Sequence, residues 1–531
     1  MEIVKTGMIM RKSILFLMAG LLTLAVSCTK SSDPETYDDG LYDLSQVSVV
    51  NSGSIPLEEF YSKLLQDGAA HNADFDQSLY DYYSDLLKQA QQGGQTKAGE
   101  SGSSVAMAYA WTTLRYKTIS ATGEQIECSE LLVWPYIPFT KQRPGNVVIG
   151  CHLTIASDEE RPSNFSNLGF GNDVNLLGCF ANPLSQKALV IIPDYEGYGA
   201  TRNRNHPYLN REVTARQVVD GAKAGIAWYE KEKMKLADGW KSVAVGYSQG
   251  GAVSASVYRY CHENKESGLR LAGAVCGDGP YDPLYTMDQY IQSGKLFMPV
   301  AVALLLKGAI DTDSRLTSLG CTYDDFCAPE FVKTGVFDWL GNKSMNTNDI
   351  HKRFLEISKS SDDGFKVYCW SESRRTFLPY NATNAANPNL NLDLSSGNGM
   401  NYVPIEMCIK PSLVEYFRNG VMPSDISPAK LSALLQCLEE NGLCAGGWLP
   451  PQSGGITFFH SKTDEVVPCQ NLMAVHEYWD GVSKNFSSYI LDKSTPSYHK
   501  SCGVSFLISY SGTYTEEILS GKWTAVHKTL K

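Results

Sequence analysis

The stretch Val243-Ala244-Val245-Gly246-Tyr247-Ser248-Gln249-Gly250-Gly251-Ala252 constrains the fold more than any other part of this 531-residue chain. A short β-branched run ends in Gly-x-Ser-x-Gly, and an alanine-rich helical pattern, Ala252 to Tyr258, follows at once. That order predicts a sharp strand-to-helix turn. The turn holds Ser248 in a strained conformation, and the glycines let neighbouring backbone pass where a Cβ would clash. The N–H of Gln249 then points at an incoming oxyanion, helped by the helix N-terminus. The pentapeptide alone is a weak signal: at ~7% usage of Gly and of Ser, a chain this long matches it by chance roughly one time in five. Strand before and helix after cut that chance. A serine hydroxyl is a poor nucleophile until an imidazole takes its proton and a carboxylate orients the imidazole, so the rest of the chain must supply both.

The periodicity around this turn is that of an α/β protein. Thr113 to Ile119 and Gln125 to Trp134, joined by Ala121-Thr122-Gly123-Glu124, predict a hairpin. Asn146 to Gly150 and Ala188 to Ile192 are continuous apolar runs, as expected of strands covered on both faces. Glu212 to Tyr229 is helical, with Ala215, Val219, Ala222, Ile226 and Tyr229 in register, and Leu271 to Cys276 is a further strand. The pattern then lapses until two strands at Gly455 to His460 and Phe486 to Leu491. Such alternation predicts a mostly parallel sheet with helices on both faces. The interruption, 282–453, is too long for a loop and predicts a large helical cap inserted before the strand at 455. Its most apolar piece, Phe297 to Leu306, suits a buried cap helix or a lid surface facing an apolar ligand.

Upstream, residues 29–55 are polar and irregular, as in a tether. Two amphipathic helices follow, one after Pro56 and one built on Phe75, Leu79, Tyr82, Tyr83 and Leu86. Gln91 to Ser104 reads as a linker. The expected organisation is a leader over 1–28, tether, helices and linker over 29–104, a first core part over 105–281, the cap over 282–453 and a second core part over 454–531.

Candidates for base and acid lie downstream of Ser248 in the order this strand-turn-helix arrangement demands. Asp464, in His460-Ser461-Lys462-Thr463-Asp464-Glu465-Val466-Val467-Pro468, follows a strand, where sites of open α/β sheets gather. His499, in Tyr498-His499-Lys500, follows the last of the predicted strands. His460, His152 and His206 compete for the role of base, and Asp278, just after the strand ending at Cys276, competes for that of acid. Asp194 and Glu196 read as turn and hydrogen-bonding residues of the site wall.

From about residue 105 to the end the chain resembles the α/β-hydrolases, in particular the secretory-lipase-like branch. The resemblance is carried by Gly-Tyr-Ser-Gln-Gly-Gly at 246–251, the segment 460–468, the His499 segment, and Ile192 to Gly199 followed by His206-Pro207-Tyr208. It implies an α/β-hydrolase fold and carboxylic-ester hydrolysis with no cofactor. It further implies Ser248 as nucleophile, His499 as general base and then acid, and Asp464 as orienting carboxylate. The first oxyanion donor would be the Gln249 N–H. For the second, family members carry His-Gly-Thr where this chain reads His152-Leu153-Thr154, which nominates the N–H of Thr154. A serine peptidase on the same fold and an inactive ligand-binding lipoprotein are the alternatives.

Composition narrows the partners. A formal net charge of −11 opposes nucleic-acid binding, and no Cys-x-x-Cys or clustered metal ligands occur along the sequence. Lys5, Arg11 and Lys12 precede an apolar stretch, Ile14 to Val26, that is short for a bilayer span and reads as an export signal. Leu24-Ala25-Val26-Ser27-Cys28 resembles a bacterial lipoprotein site with Cys28 as the lipidated residue, so the expected partners are a small ester and a membrane. The expected location is the outer membrane or cell surface. Ordinary cleavage after Ser27 would instead release a periplasmic or secreted protein. Of the fourteen cysteines, the pairs Cys321/Cys327 and Cys437/Cys444 are near enough in sequence to close small disulfide loops.

Overall fold

The apolar runs read as doubly covered strands do form the centre of a sheet. The computed structural model describes residues 41–71, 77–93, 108–136, 143–167, 187–360, 364–385, 387, 390, 399–452, 454–480, 482, 483, 485–493 and 498–530. The leader, Cys28, the first part of the tether and linker residues 94–104 lie outside the described residues. In chain order the first elements are β1 (Val47–Pro56), α1 (Leu57–His71), α2 (Gln77–Gly93), β2 (Ala108–Ile119), β3 (Gln125–Tyr136), β4 (Val147–Cys151) and β5 (Leu189–Pro193). Next come α3 (Arg211–Glu232), β6 (Ser242–Tyr247), α4 (Gln249–Glu263) and β7 (Leu271–Gly277).

Residues 283–440 then carry α5 (Pro283–Ser293), β8 (Lys295–Leu296), α6 (Pro299–Thr312) and α7 (Thr347–Ser360), with four shorter helices between α6 and α7. They continue with β9 (Tyr368–Ser371), β10 (Thr376–Pro379), β11 (Asn401–Pro404), α8 (Pro411–Asn419) and α9 (Pro428–Glu440). The chain closes with β12 (Gly455–Ser461), α10 (Gln470–Trp479), β13 (Ser487–Leu491), α11 (His499–Ser505), α12 (Ser511–Leu519) and β14 (His527–Leu530).

Ten strands form one sheet in the order β1-β2-β3-β5-β4-β6-β7-β12-β13-β14. The first three and the β3–β5 pair are antiparallel, and every pair from β5 to β14 is parallel. The fold is therefore a mostly parallel sheet flanked by helices. β4, β5, β6 and β12 are buried at every position, which is why they lack the alternation of a half-exposed strand. One face packs Ile149, Ile191, Ala244 and Phe458 against α3, α4 and α10, the other packs Val148, Val190, Val245 and Phe459 against α1 and α12. A separate apolar cluster, centred on Leu304, Leu306, Phe331 and Phe354, fills the inserted segment.

Several expectations need correction. The tether does not run to residue 55, because Val47–Pro56 pairs antiparallel with β2 as an edge strand. Its residues are nearly all exposed, so its sequence shows none of the apolar pattern of a packed strand. The strand before His499 is not the last, since β14 adds in parallel to β13. The inserted segment is not purely helical either: β10-β9-β11-β8 make a small antiparallel sheet. The cysteine pairs Cys321/Cys327 and Cys437/Cys444 are free thiols, as are the other described cysteines. Among the described residues no helix is long and apolar enough to cross a membrane.

Glu130, in the middle of β3, is fully buried, and among the described residues neither carboxylate oxygen has a hydrogen-bond partner. It lies against Gly221 and Gly225 of α3, where a Cβ would press on its oxygens. Burial, reinforced by Asp194, pushes its carboxyl well above the usual range. A carboxyl raised in the folded state costs stability progressively as pH climbs above its unfolded value. Glu130→Gln carries no such charge. Its unfolding temperature relative to wild type should therefore increase from pH 5 to pH 8 in a thermal melt, and a difference that stays constant with pH would show that Glu130 is not held protonated.

Candidate active site

Ser248 sits between β6 and α4 with φ 58° and ψ −124°, a conformation that L-residues with a Cβ rarely adopt. Its N–H donates to the Gly277 carbonyl at 2.9 Å, tying the turn to the end of β7. The glycines after it are required sterically. A Cβ on Gly250 would meet the Cys151 carbonyl, and one on Gly251 would meet the Gly277 carbonyl. With α4 so close to the strands, Ser248 is held out over the edge where β6, β7 and β12 end.

The structure brings together the three residues nominated from sequence. The Ser248 hydroxyl lies 2.9 Å from His499 Nε2, and His499 Nδ1 lies 2.6 Å from Asp464 Oδ2. Asp464 Oδ1 accepts the N–H groups of Val466 and Val467 at 2.8 and 2.7 Å, which fixes the carboxylate plane. His499 opens α11, and its own N–H donates to Glu465 Oε2 at 3.0 Å. Ser248 and His499 are each 8% exposed, so this chain of contacts is mostly buried.

Burial opposes charge on the His499 ring. The Asp464 carboxylate and its hydrogen bond, with Asp278 and Glu465, outweigh burial and lift the imidazole to about 9. Burial and the Asp464 charge hold the Glu465 carboxyl up at about 7. Burial likewise raises Asp464, with His499 offsetting part of the effect.

The competing residues have other partners. Asp278 Oδ1 lies 2.6 Å from His460 Nδ1, both fully buried. His152 contacts the Leu153 and Asp194 carbonyls, and His206 contacts the Glu196 carbonyl and the Gln249 side-chain amide. Burial pushes His152 down to about 4 and His206 to about 3, so both are neutral. Asp194 accepts from Ser129 and Ser163, and Glu196 accepts from Ala121, Arg204 and Gln217. Asp278, His460 and Asp464 bring ligand-type atoms within 4.8 Å of one another. Their oxygens are nevertheless engaged by Ser461, Tyr247, Val466, Val467 and the two imidazoles, so the set is hydrogen-bonded internally.

Gln249 is the first residue of α4, so its N–H has no intrahelical acceptor. Thr154 lines the same pocket as Ser248, and its hydroxyl lies 2.9 Å from the Tyr208 hydroxyl. Leu153, where the resembled family carries glycine, keeps a negative φ. The pocket is walled by Tyr290 of α5, by Met298, Ala301 and Leu305 at and on α6, and by Val466 and Val467. Its free volume is about 20 Å³, room for roughly one water-sized group. Sequence reasoning missed Tyr247, Tyr208 and Glu465 as site residues. Only the Asp464-Glu465 doublet and the tyrosine directly before Ser248 offered a local cue.

No protein-family model matches the sequence, and no curated protein matches it. Among solved structures, the chain is similar to the rice cell wall degrading esterase LipA from Xanthomonas oryzae. That likeness has a TM-score of 0.58 at 16% identity and covers 90% of this chain and 99% of that one. It is also similar to Candida antarctica lipase A, with a TM-score of 0.50 at 13% identity, covering 91% and 85%. At such identities the likeness is one of fold, and the fold is that of the α/β-hydrolases.

The strain at Ser248 is open to measurement apart from any activity. Glycine adopts this φ freely, which recovers ~1–3 kcal/mol of strain and forfeits ~0.5–1 kcal/mol of chain entropy. Ser248→Gly should therefore match or exceed Ser248→Ala in stability by denaturant titration. A Gly variant less stable by about 1 kcal/mol would mean the turn is unstrained.

Proposed function

We propose that this protein is a serine carboxylic-ester hydrolase. Ser248 attacks the ester carbonyl as His499 Nε2 takes its proton. Asp464 orients the imidazole and stabilises the imidazolium. The N–H groups of Gln249 and Thr154 hold the oxyanion. His499 then protonates the leaving alcohol, and the same imidazole activates water to release the acid and restore Ser248. The observation that carries this reading is the unbroken Ser248–His499–Asp464 contact chain, 2.9 and 2.6 Å, mounted on a strained elbow. The fold it shares with an esterase and a lipase supports it. Segment 282–453 acts as the cap, and export with a lipid anchor at Cys28 completes the proposal.

A fluorophosphonate probe tests it. Wild type should be labelled, and Ser248→Ala should not. Asp464→Asn should lose about four orders of magnitude in kcat with the fold intact. An unlabelled, folded wild type would overturn the reading, and faster turnover of peptide anilides than of esters would make the enzyme a peptidase. Because only neutral imidazole accepts the Ser248 proton, and His499 is lifted to about 9, kcat/KM should rise with pH from 6.5 towards 9. A profile flat over that range would show that His499 is not held at so high a value.

The small free volume beside Ser248 favours a short acyl group such as acetyl. Leu305 forms part of that wall. Leu305→Ala should raise the butyrate-to-acetate ratio of kcat/KM for p-nitrophenyl esters by about tenfold or more. An unchanged ratio would place the acyl group elsewhere.

A further inference from the structure

Beside the Ser248–His499–Asp464 chain lies a second buried imidazole–carboxylate pair, His460 with Asp278, whose carboxylate contacts the segments before Ser248 and Asp464 and reaches that of His499 through Tyr247. Asp278 follows β7 with φ 37°, a strained value for aspartate. Its N–H donates to the Phe459 carbonyl at 2.8 Å. Oδ1 accepts the Ser461 N–H at 2.7 Å and the His460 Nδ1 proton at 2.6 Å, which anchors the strand end leading to Asp464. Oδ2 accepts the Tyr247 hydroxyl at 2.7 Å, directly before Ser248. That same hydroxyl lies 2.6 Å from the His499 carbonyl. Tyr247 has one proton for these two acceptors, so the hydroxyl links Asp278 to the backbone that carries the base.

We propose that Asp278 is the positioning residue of this site: its carboxylate fixes the segments bearing Ser248, Asp464 and His499, and His460 compensates its charge so that Asp464 remains the dominant anion for His499. The proposal rests on the ester-hydrolase reading above. Several charged or titratable groups face the His499 ring. Asp464 and Glu465 come from the loop after β12, Asp278 from the end of β7, His460 from β12 and Tyr247 from β6, while Cys502 lies on its own helix with Tyr498 and Lys500 beside it in sequence. Of these, Asp278 is the second carboxylate favouring the His499 imidazolium. Burial works against the ionised pair, yet Asp278 and His460 each hold the other in its charged form. His460 Nε2 has no hydrogen-bond partner among the described residues, so the ring makes its principal contact through Nδ1 to Asp278.

The two members of the pair must then act on His499 in opposite directions. Asp278→Asn removes a negative charge near the imidazole, and the acidic limb of the kcat/KM–pH profile should move down by about one unit. His460→Asn leaves that carboxylate uncompensated, and the limb should move up. Tyr247→Phe should lower kcat with little change in KM, because the His499 carbonyl loses its tie. A residue that only filled space would lower activity at every pH and leave the limb in place. Fluorophosphonate labelling of Ser248 in each variant separates the two readings. Labelling retained with the limb unmoved in both Asp278→Asn and His460→Asn would overturn the positioning role alone. A wild type that takes no probe would remove both. Should a variant fail to fold, the intact wild type still decides: proton NMR should show two strongly downfield imidazole N–H resonances, from His499–Asp464 and His460–Asp278, and a single one would overturn the proposal.

Discussion

The site depends on the register of three parallel strands. Tyr247 of β6, Gly277 of β7 and Phe459 of β12 stand abreast in the sheet. The residues that follow them stand side by side at its carboxyl edge: Ser248 and Asp278 just past their strands, and His460 still within β12. Parallel pairing makes this possible, because only parallel neighbours end at the same edge and can pool their next residues. A slip of one residue in β7 would turn the Asp278 side chain to the opposite face, and the Ser248 N–H would lose the Gly277 carbonyl that fixes its turn. Burial of β6 and β12 at every position forbids that slip.

Much of this geometry was legible in the sequence because it is written locally. The elbow needs glycine where α4 passes the Cys151 and Gly277 carbonyls, and doubly covered strands need unbroken apolar runs. Both leave compact signatures around residues 147, 190 and 246. The order Ser248, Asp464, His499 follows from which loops sit at the carboxyl edge. What escaped the sequence is held by long-range pairing. β1 is an exposed edge whose Val-Ser-Val-Val-Asn-Ser-Gly run reads as polar coil, and β14 is four mainly exposed residues. The small sheet beside α6 is assembled from strands of two to four residues, too short for any period to register. The His460–Asp278 contact joins residues 182 positions apart, visible only once β7 and β12 are paired.

The electrostatics follow from placing several acids around two imidazoles in a dry edge. In water such charges would be screened to little effect. Here Asp278 and Asp464 are both almost wholly buried, so each imidazole is the natural partner of one carboxylate and feels the other. The result is an imidazole that holds its proton tightly, lifted to about 9. The same linkage favours the folded chain most strongly below the ordinary imidazole value near 6.5. That contribution fades as pH rises through about 9, so deprotonating His499 also releases the ion pair's hold on the fold.

The apolar wall over the site belongs to this balance. Met298, just before α6, and Ala301 and Leu305 on it line the pocket with Ser248, and Tyr290 of the same wall donates to the Val466 carbonyl at 2.5 Å. By excluding water, these side chains keep the local dielectric low and the Asp464–His499 attraction strong. They also leave free space for little more than one small group. The wall thus bears on both the free space beside Ser248 and the proton affinity of His499, the latter being set also by Asp278 and Glu465. A substitution that opens the wall to a longer chain also admits water to the imidazole, which weakens its tie to Asp464 and brings its titration closer to that of a free histidine.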